Sequence, residues 1–249
     1  MKLFSVIGIT QSGKTTTIEK IITELKKRRF TVGSVKDIHF EKFAIDTEGT
    51  NTHRHYKAGS DLVTARGLFE TDILYKRRLS IEEILRCYEH DFVVLEGVVD
   101  YSCPKIITAH NEQELKERVD NHTIAISGRI SEKISSYKGV PALSALTEVD
   151  KLVDLILEKT YNKLPDFPSK CCNACGFSCE ELKQKIIKKE KSVSDCLINE
   201  GKIELEIDGQ KIDMVPFVKN ILYNNVLAVA KELDGYKKGK SIKIKIGEE

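Results

Sequence analysis

The first two thirds of the chain alternate between short apolar-rich runs and amphipathic stretches. The apolar runs are typical of strands that are buried on both faces, and they occupy residues 3–9, 30–36, 91–97, 105–109 and 122–127. Between them, apolar positions spaced three or four residues apart predict helices over residues 14–27, 79–90 and 147–161. This alternation predicts an α/β fold with a mostly parallel sheet and flanking helices.

The pattern changes after residue 162. Residues 163–170 hold two of the five prolines and predict a linker. Beyond the linker, the pattern predicts a hairpin, a helix and a last strand, over residues 203–214, 216–233 and 241–246. We therefore expect two domains, residues 1–162 and residues 171–249, and the second is a small α+β unit that carries clustered cysteines.

A glycine-rich loop joins the first predicted strand to the first predicted helix. Its sequence, GITQSGKT, fits the pattern G-x-x-x-x-G-K-[ST] of a phosphate-binding loop in the expected strand–loop–helix context. In such a loop the backbone N–H groups surround phosphate oxygens, the lysine reaches the β- and γ-phosphates, and the hydroxyl binds Mg²⁺. The sequence therefore predicts a P-loop NTPase whose nucleotide-binding residues are Gly8, Thr10, Gln11, Ser12, Gly13, Lys14, Thr15 and Thr16.

An acidic residue is also expected where a neighbouring strand ends. Glu96 closes the run at 91–97, and ligands of parallel sheets bind beyond the carboxyl ends of the strands. We predict that Thr15 and Glu96 hold Mg²⁺ and that Lys14 and Glu96 are the catalytic pair. The chain lacks the [NT]-K-x-D motif of guanine-specific GTPases, so its local sequence leaves GTP and ATP both open.

The polar segment from Lys36 to Asp61 resembles a known family. The residues that carry the resemblance, together with the P-loop, are Lys36, His39, Asp46, Gly49, Thr52, Arg54, His55, Ala58, Gly59, Glu96 and Gly97. In this order they are similar to the motifs of the molybdopterin-guanine dinucleotide biosynthesis adapter protein B family, over roughly residues 1–160. Two residues depart from the family pattern: Gln11 replaces the middle glycine of the loop, and Asp37 replaces a histidine.

The resemblance implies a GTP-binding protein with weak intrinsic hydrolysis that is often a homodimer. It also implies a partner, either the guanylyltransferase that attaches GMP to molybdopterin or a molybdoenzyme. The anion- or partner-binding rim is then expected to contain Lys36, His39, Asp46, Arg54 and His55. Taken without the family, Lys36 and Arg54 suit anion contacts, whereas the histidines suit anions, a metal or ordinary surface positions.

Five of the seven cysteines fall between Cys171 and Cys196. Three closely spaced cysteines and a fourth sixteen residues or so later favour an iron–sulfur cluster over zinc, which usually takes two separated C-x-x-C pairs. The segment is also similar to four-cysteine [4Fe–4S] domains of corrinoid iron–sulfur proteins and of electron-transport complex subunits. We predict that the cluster ligands are Cys172, Cys175, Cys179 and Cys196. Three alternatives stay open: Cys171 could replace Cys172 as a ligand, the metal could be Zn²⁺, or the cysteines could be free thiols.

The balance of charge limits the partners. A formal net charge of +2 argues against a nucleic acid as the main partner, because such binding needs a basic surface. The chain shows neither a signal-peptide pattern nor a long apolar span, so we expect a cytoplasmic protein that does not enter a membrane.

Three functions fit these observations. The first is a GTP-binding adapter, at most a weak GTPase, in maturation of the guanine dinucleotide form of the molybdenum or tungsten cofactor. The second is a P-loop NTPase that couples hydrolysis to electron transfer or to insertion of another metallocofactor. The third is a binding module without turnover.

Overall fold

The computed structural model describes residues 1–41, 43–165, 175–196, 203–212, 214–236 and 242–244. The chain divides into two compact units. The first unit is Met1–Lys163 with Ile186–Glu190, and the second is Leu164–Lys185 with Lys191–Glu249. The boundaries at residues 162 and 171 stay predictions.

The first unit is an α/β structure. Its helices and strands are, in chain order, β1 (Lys2–Gly8), α1 (Lys14–Lys27), β2 (Val32–Lys36), α2 (Asn51–Lys57), β3 (Leu62–Arg66), β4 (Thr71–Tyr75), α3 (Ile81–Leu85), β5 (Phe92–Glu96), β6 (Lys105–Thr108), α4 (Glu112–Arg118), β7 (Thr123–Ser127), β8 (Ser136–Tyr137), β9 (Val140–Pro141) and α5 (Val149–Lys159).

Five of these strands form one sheet in the order β2-β5-β1-β6-β7, and every neighbouring pair is parallel. The prediction of a parallel α/β fold is confirmed. Because β1 is central, the loop that follows it lies between the carboxyl ends of β5 and β6. Residues far apart in sequence therefore meet at the end of β1, where ligands of such sheets bind.

Apolar side chains cover both faces of the sheet. On one face α1 and α5 bury residues that follow the predicted helical spacing, among them Ile18, Ile21, Leu25, Leu152 and Ile156. On the other face, Leu85 of α3 joins a cluster with Val35, Val93 and Leu95, and Leu115 of α4 packs with Ile107 and Ile126. The buried strands thus explain the apolar runs of the sequence. The packing also holds β1 and α1, the two elements that the phosphate loop joins, against each other.

A capping box is present at the start of α3. The Ser80 hydroxyl accepts from the backbone N–H of Glu83, and the Glu83 carboxylate accepts from the backbone N–H of Ser80. Arg77 adds an ion pair at 2.6 Å, and its hydrogen bond is the largest cause that lowers the pKa of Glu83 to about 2. The helix itself is shorter than predicted and ends near Leu85.

Several elements of the first unit have no counterpart in the sequence prediction. Helix α2 lies inside the polar segment between residues 36 and 61, α4 follows β6, and β3 pairs with β4 as an antiparallel hairpin outside the main sheet. The β3–β4 hairpin escapes prediction because its alternation is weak and its apolar side chains are largely exposed. At its tip, Leu68 and Phe69 are 95% and 101% exposed.

Beyond residue 164 the structure describes five elements: α6 (Cys179–Ile187), a 3₁₀ helix (Val193–Asp195), β10 (Leu205–Ile207), β11 (Gln210–Ile212) and α7 (Pro216–Lys231). The predicted hairpin is confirmed, and its turn residues Asp208 and Gly209 have φ values of 50° and 76°. The last predicted strand lies mostly outside the described residues, and residues 242–244 are not in a strand. In the part of the chain that the structure describes, no helix combines the length and apolar character that a membrane span requires.

Candidate functional site

The phosphate loop joins Gly8, the last residue of β1, to Lys14, the first residue of α1. Gly13 caps the helix in the left-handed conformation, with φ 100°, and no side chain accepts from the first turn of α1. The N–H groups of that turn are therefore available to an anion at the positive end of the helix. The loop thus has the backbone geometry that its sequence predicts.

Gln11 also adopts a left-handed conformation, with φ 61°. Non-glycine residues pay about 1–2 kcal/mol for this conformation. The resemblance noted above has glycine at this position, and the backbone geometry explains why glycine suits it. The loop of this chain therefore keeps the conformation at a cost that its surroundings must offset.

Lys14 extends into the loop. Its ammonium donates to the carbonyl oxygen of Gly8 at 2.8 Å and to that of Ile9. Burial lowers the pKa of Lys14; the Glu96 carboxylate opposes this effect, and the positive charges of Lys36 and Arg118 add to it. The folded chain thus holds a partly desolvated cation at the point where phosphate groups are expected.

The back of the loop packs against the ends of β6 and β7. The hydroxyls of Ser12 and Thr108, both fully buried, are 2.7 Å apart, and the backbone N–H of Arg129 donates to the Ser12 carbonyl at 3.1 Å. Gly128, with φ 71°, lies so close that an added Cβ would be 2.2 Å from the Ser12 carbonyl oxygen. These contacts fix the loop from behind and leave its open side to a ligand.

An oxygen-rich corner lies where β5 ends beside the loop. The Thr15 hydroxyl is 3.4 Å from Oε1 of Glu96, and the Lys36 ammonium is 3.5 Å from the same oxygen. A hydroxyl and a carboxylate are the hard oxygen ligands that Mg²⁺ prefers together with water and phosphate oxygens. The residues present therefore fit a magnesium ion between Thr15 and Glu96.

These groups open into a cavity of about 1010 Å³. Besides the loop, Lys36, His39, Glu96 and Gly97 line it, as the sequence led us to expect. Sequence reasoning missed the residues that line it from segments after β6 and β7: Arg118, Arg129, Glu132, Ser144, Ala145 and Leu146. One feature of the sequence could have pointed to this part of the cavity: Gly128 directly follows an apolar run, as Gly97 does.

The other predicted rim residues are placed differently. Asp46, Arg54 and His55 are not among the residues that line the cavity. The Asp46 carboxylate accepts from the hydroxyls of Thr50 and Thr52, both at 2.8 Å, and these bonds, that of Thr50 foremost, lower the pKa of Asp46. Since Thr50 caps α2, Asp46 organises the start of that helix.

Asp37, which stands where the family pattern has a histidine, forms ion pairs at the cavity edge. Its carboxylate lies 3.1 Å from the guanidinium of Arg78 and 3.8 Å from Nε2 of His39. A histidine at this position could not balance Arg78 in this way. The replacement of histidine by Asp37 therefore comes with a positively charged partner, Arg78.

The described cysteines do not gather into a metal centre. Cys172 lies outside the described residues, and among the residues that are described no three His, Cys, Asp or Glu side chains form a metal-binding group. The Sγ atoms of Cys175 and Cys179 lie 3.6 and 3.9 Å from the carbonyl oxygens of Phe177 and Pro165, whereas Cys196 is buried.

The geometry can be compared with known proteins. A Methanocaldococcus jannaschii protein with the provisional name of a molybdopterin-guanine dinucleotide biosynthesis adapter is 28% identical over 99% of this chain and 97% of its own length. A similarly named Bacillus subtilis protein is 27% identical over 63% of this chain and 92% of its own length. The crystal structure of Bacillus subtilis MobB matches 66% of this chain and all of its own, with a TM-score of 0.55 and 26% identity.

These matches differ in how much of the chain they cover. About a third of the chain has no counterpart in the Bacillus proteins, whereas the Methanocaldococcus relative matches it along nearly its full length. The family model of the molybdopterin guanine dinucleotide synthesis protein B, MobB, matches residues 3–129, just over half of the chain and all of the segments that build the phosphate loop and its neighbouring strand ends. The chain therefore belongs to the MobB family.

Proposed function

We propose that this chain is a nucleotide-binding adapter in molybdopterin guanine dinucleotide biosynthesis and that its nucleotide is GTP with Mg²⁺. The observation that carries the proposal is the cavity in which Lys14, Thr15 and Glu96 meet at the carboxyl end of the central strand. The names of the relatives, which are adapter proteins of this biosynthesis, support the pathway.

The cavity residues divide the work of holding a nucleotide. Lys14 and the first-turn N–H groups of α1 face the phosphates, and Arg118 and Arg129 add positive charge on the side of β6 and β7. Bound Mg²⁺ would neutralise phosphate charge, with Thr15 and Glu96 as its protein ligands. Because Lys36 lies beside Glu96, this carboxylate is engaged by a cation as well as by the metal that it would hold, and we infer weak hydrolysis at most.

Calorimetric titration of the full chain with GTP and with ATP, with and without Mg²⁺, tests this function. We expect GTP to bind at least about tenfold more tightly than ATP, a difference of about 1.4 kcal/mol, and we expect Mg²⁺ to strengthen binding. Glu96→Gln should remove the Mg²⁺ effect, whereas Glu19→Gln on the exposed face of α1 should keep it. Preferential binding of ATP would contradict the proposal.

For the second unit we propose a [4Fe–4S] cluster on Cys172, Cys175, Cys179 and Cys196, with Zn²⁺ as the alternative. The support is the cysteine spacing, together with the presence of this part of the chain in the Methanocaldococcus relative but not in the Bacillus structure. To bind iron, Cys175 and Cys179 would have to turn from their carbonyl contacts. An electron-transferring NTPase is the second candidate function, and it depends on this cluster.

Purification under anaerobic conditions decides the identity of the metal. We expect a brown protein with about four iron atoms per chain, and we expect Cys175→Ser with Cys179→Ser to be colourless and free of iron. Cys87→Ser is the matched control, since Cys87 is an exposed residue of the first unit. A colourless wild-type protein that contains zinc, or no metal, would overturn the iron–sulfur assignment.

The partners stay proposals as well. We infer that the guanylyltransferase or a molybdoenzyme binds the nucleotide-loaded chain and that the chain is a homodimer. The exposed apolar side chains of the β3–β4 hairpin, which include Leu62, Ile73 and Tyr75 besides the two at its tip, support self-association, since an isolated hairpin is only marginally stable in water. Light scattering that gives the mass of one chain, 28.2 kDa, at micromolar concentration would contradict the dimer.

A further inference from the structure

His110 connects the phosphate loop to α4. Its Nε2 lies 3.0 Å from the carbonyl oxygen of Gln11, and its Nδ1 lies 3.3 Å from Oε1 of Glu114. Its backbone N–H also donates to Oε2 of Glu114 at 2.9 Å, so the carboxylate holds both the backbone and the ring. Glu114 thus holds the Nδ1 side of the ring, and Nε2 on the other side contacts the phosphate loop.

Both oxygens that face the ring can only accept hydrogen bonds. A neutral imidazole carries a hydrogen on one nitrogen, so it can satisfy one of the two oxygens and must turn a lone pair toward the other. The imidazolium ion donates to both. The arrangement is therefore complete only when His110 is protonated, and the hydrogen bonds from His110, that of its backbone foremost, lower the pKa of Glu114 and keep it ionised.

The carbonyl oxygen that His110 contacts belongs to Gln11, whose left-handed backbone conformation is unfavourable and needs a stabilising contact. Gln11 is the non-glycine residue in the left-handed conformation, between the neighbours that turn the loop around an anion. A charge-assisted hydrogen bond is shorter and stronger than a neutral one, so a bond from the imidazolium can offset the cost of a left-handed glutamine. His110 can therefore hold the loop in its binding conformation without touching the nucleotide.

We propose that His110 is a positioning residue of the phosphate loop, whose imidazolium bridges Glu114 and the Gln11 carbonyl and keeps the loop ready for phosphate. The inference rests on the proposed nucleotide binding. Among the charged groups of α4, Glu114 contacts the ring and attracts its positive charge, and Arg118 donates to the Glu114 carbonyl oxygen. The loop faces the ring with the uncharged carbonyl of Gln11. Only the doubly protonated ring donates to both oxygens, so the bridge is lost when the ring gives up a proton.

The test is the affinity of the full chain for a non-hydrolysable GTP analogue with Mg²⁺, measured by calorimetry between pH 5.5 and 8.5. The nucleotide also titrates, so the readout is the ratio of each variant's affinity to that of the wild type at the same pH. We expect His110→Gln to bind about tenfold more weakly at pH 5.5, where the wild type has the bridge, and nearly equally at pH 8.5.

Glu114→Gln distinguishes positioning from mere packing. Its side-chain amide can donate to Nδ1, so that a neutral His110 keeps its hydrogen on Nε2 for the Gln11 carbonyl. We therefore expect Glu114→Gln to bind about as well as the wild type at pH 5.5 and several-fold more tightly than the wild type at pH 8.5. A purely structural role would make this variant weaker at every pH.

The outcomes separate the two proposals. If the wild type binds and both affinity ratios are constant with pH, the positioning role is wrong and the proposed function stands. If the wild type binds no nucleotide, the proposed function is wrong and the positioning role fails with it. Nitrogen NMR of the nucleotide-free chain gives an independent result: a neutral His110 ring at pH 5.5 would overturn the bridge whatever the affinities are.

Discussion

Lys14→Ala is expected to weaken GTP binding by about a hundredfold, which corresponds to about 2.7 kcal/mol. The Lys14 ammonium reaches inside the loop, where it now donates to the carbonyls of Gly8 and Ile9. A phosphate would replace those carbonyls as acceptor, and a charge-assisted bond in a partly desolvated site is worth about 1.5–3 kcal/mol. Calorimetric titration with GTP and Mg²⁺ measures the loss.

The stability of the nucleotide-free chain should not fall in parallel. Burial lowers the pKa of Lys14, so the folded chain disfavours the charged side chain and its removal relieves that cost. We expect the melting temperature of Lys14→Ala without nucleotide to equal or exceed that of the wild type, while GTP stabilises only the wild type. Lys20→Ala, on the exposed face of the same helix, should keep full affinity. A variant that binds GTP normally would mean that the loop is not the phosphate site.

Gly128→Ala is expected to cost about 3 kcal/mol or more of stability and to abolish nucleotide binding. Two costs combine, since the residue has φ 71° and the new Cβ would be 2.2 Å from the Ser12 carbonyl oxygen and 2.9 Å from Cβ of Thr108. A left-handed alanine costs about 1–2 kcal/mol, and overpacking about 1–3 kcal/mol. The displaced Ser12 would carry the phosphate loop with it.

Gly139→Ala separates the two costs. Gly139 has φ 80°, close to that of Gly128, but an added Cβ would meet no atom within 4 Å. This substitution should therefore cost only about 1 kcal/mol, because part of the strain is offset by the lower entropy of the unfolded chain. Urea denaturation of both variants measures the difference. Equal losses at the two positions would show that the loop is not tightly packed against the end of β7.

The sequence was most informative where one local pattern meets one physical requirement. The phosphate loop needs its glycines, its lysine and its hydroxyl at fixed, closely spaced positions, so the sequence pattern alone identifies residues 8–15. The same holds for the buried parallel strands and for the hairpin predicted over residues 203–214. The family followed from the order of several such motifs, and the family model confirms it.

The rest of the site could not be derived locally. Arg118 and Arg129 line the cavity only because β6 lies beside β1 and β7 lies beside β6, and no single segment of the sequence determines this strand order. The contact between Ser12 and Thr108, 96 residues apart, depends on the same order. Asp46 is an example of a different kind. Its place in a family motif predicted a rim residue, and the structure adds hydrogen bonds that organise the start of α2.

By itself, therefore, the sequence determined the fold class, the phosphate loop, the acidic residue at the end of β5 and the family, because each depends on residues that are adjacent or regularly spaced. Only the tertiary structure decided which side chains pack against the loop at the ends of β6 and β7 and which line the opposite side of the cavity. It placed Gly128 against Ser12, and it placed His110 between Gln11 and Glu114. Such contacts arise where parallel strands end side by side, and so they join residues that lie on the order of a hundred positions apart in the chain.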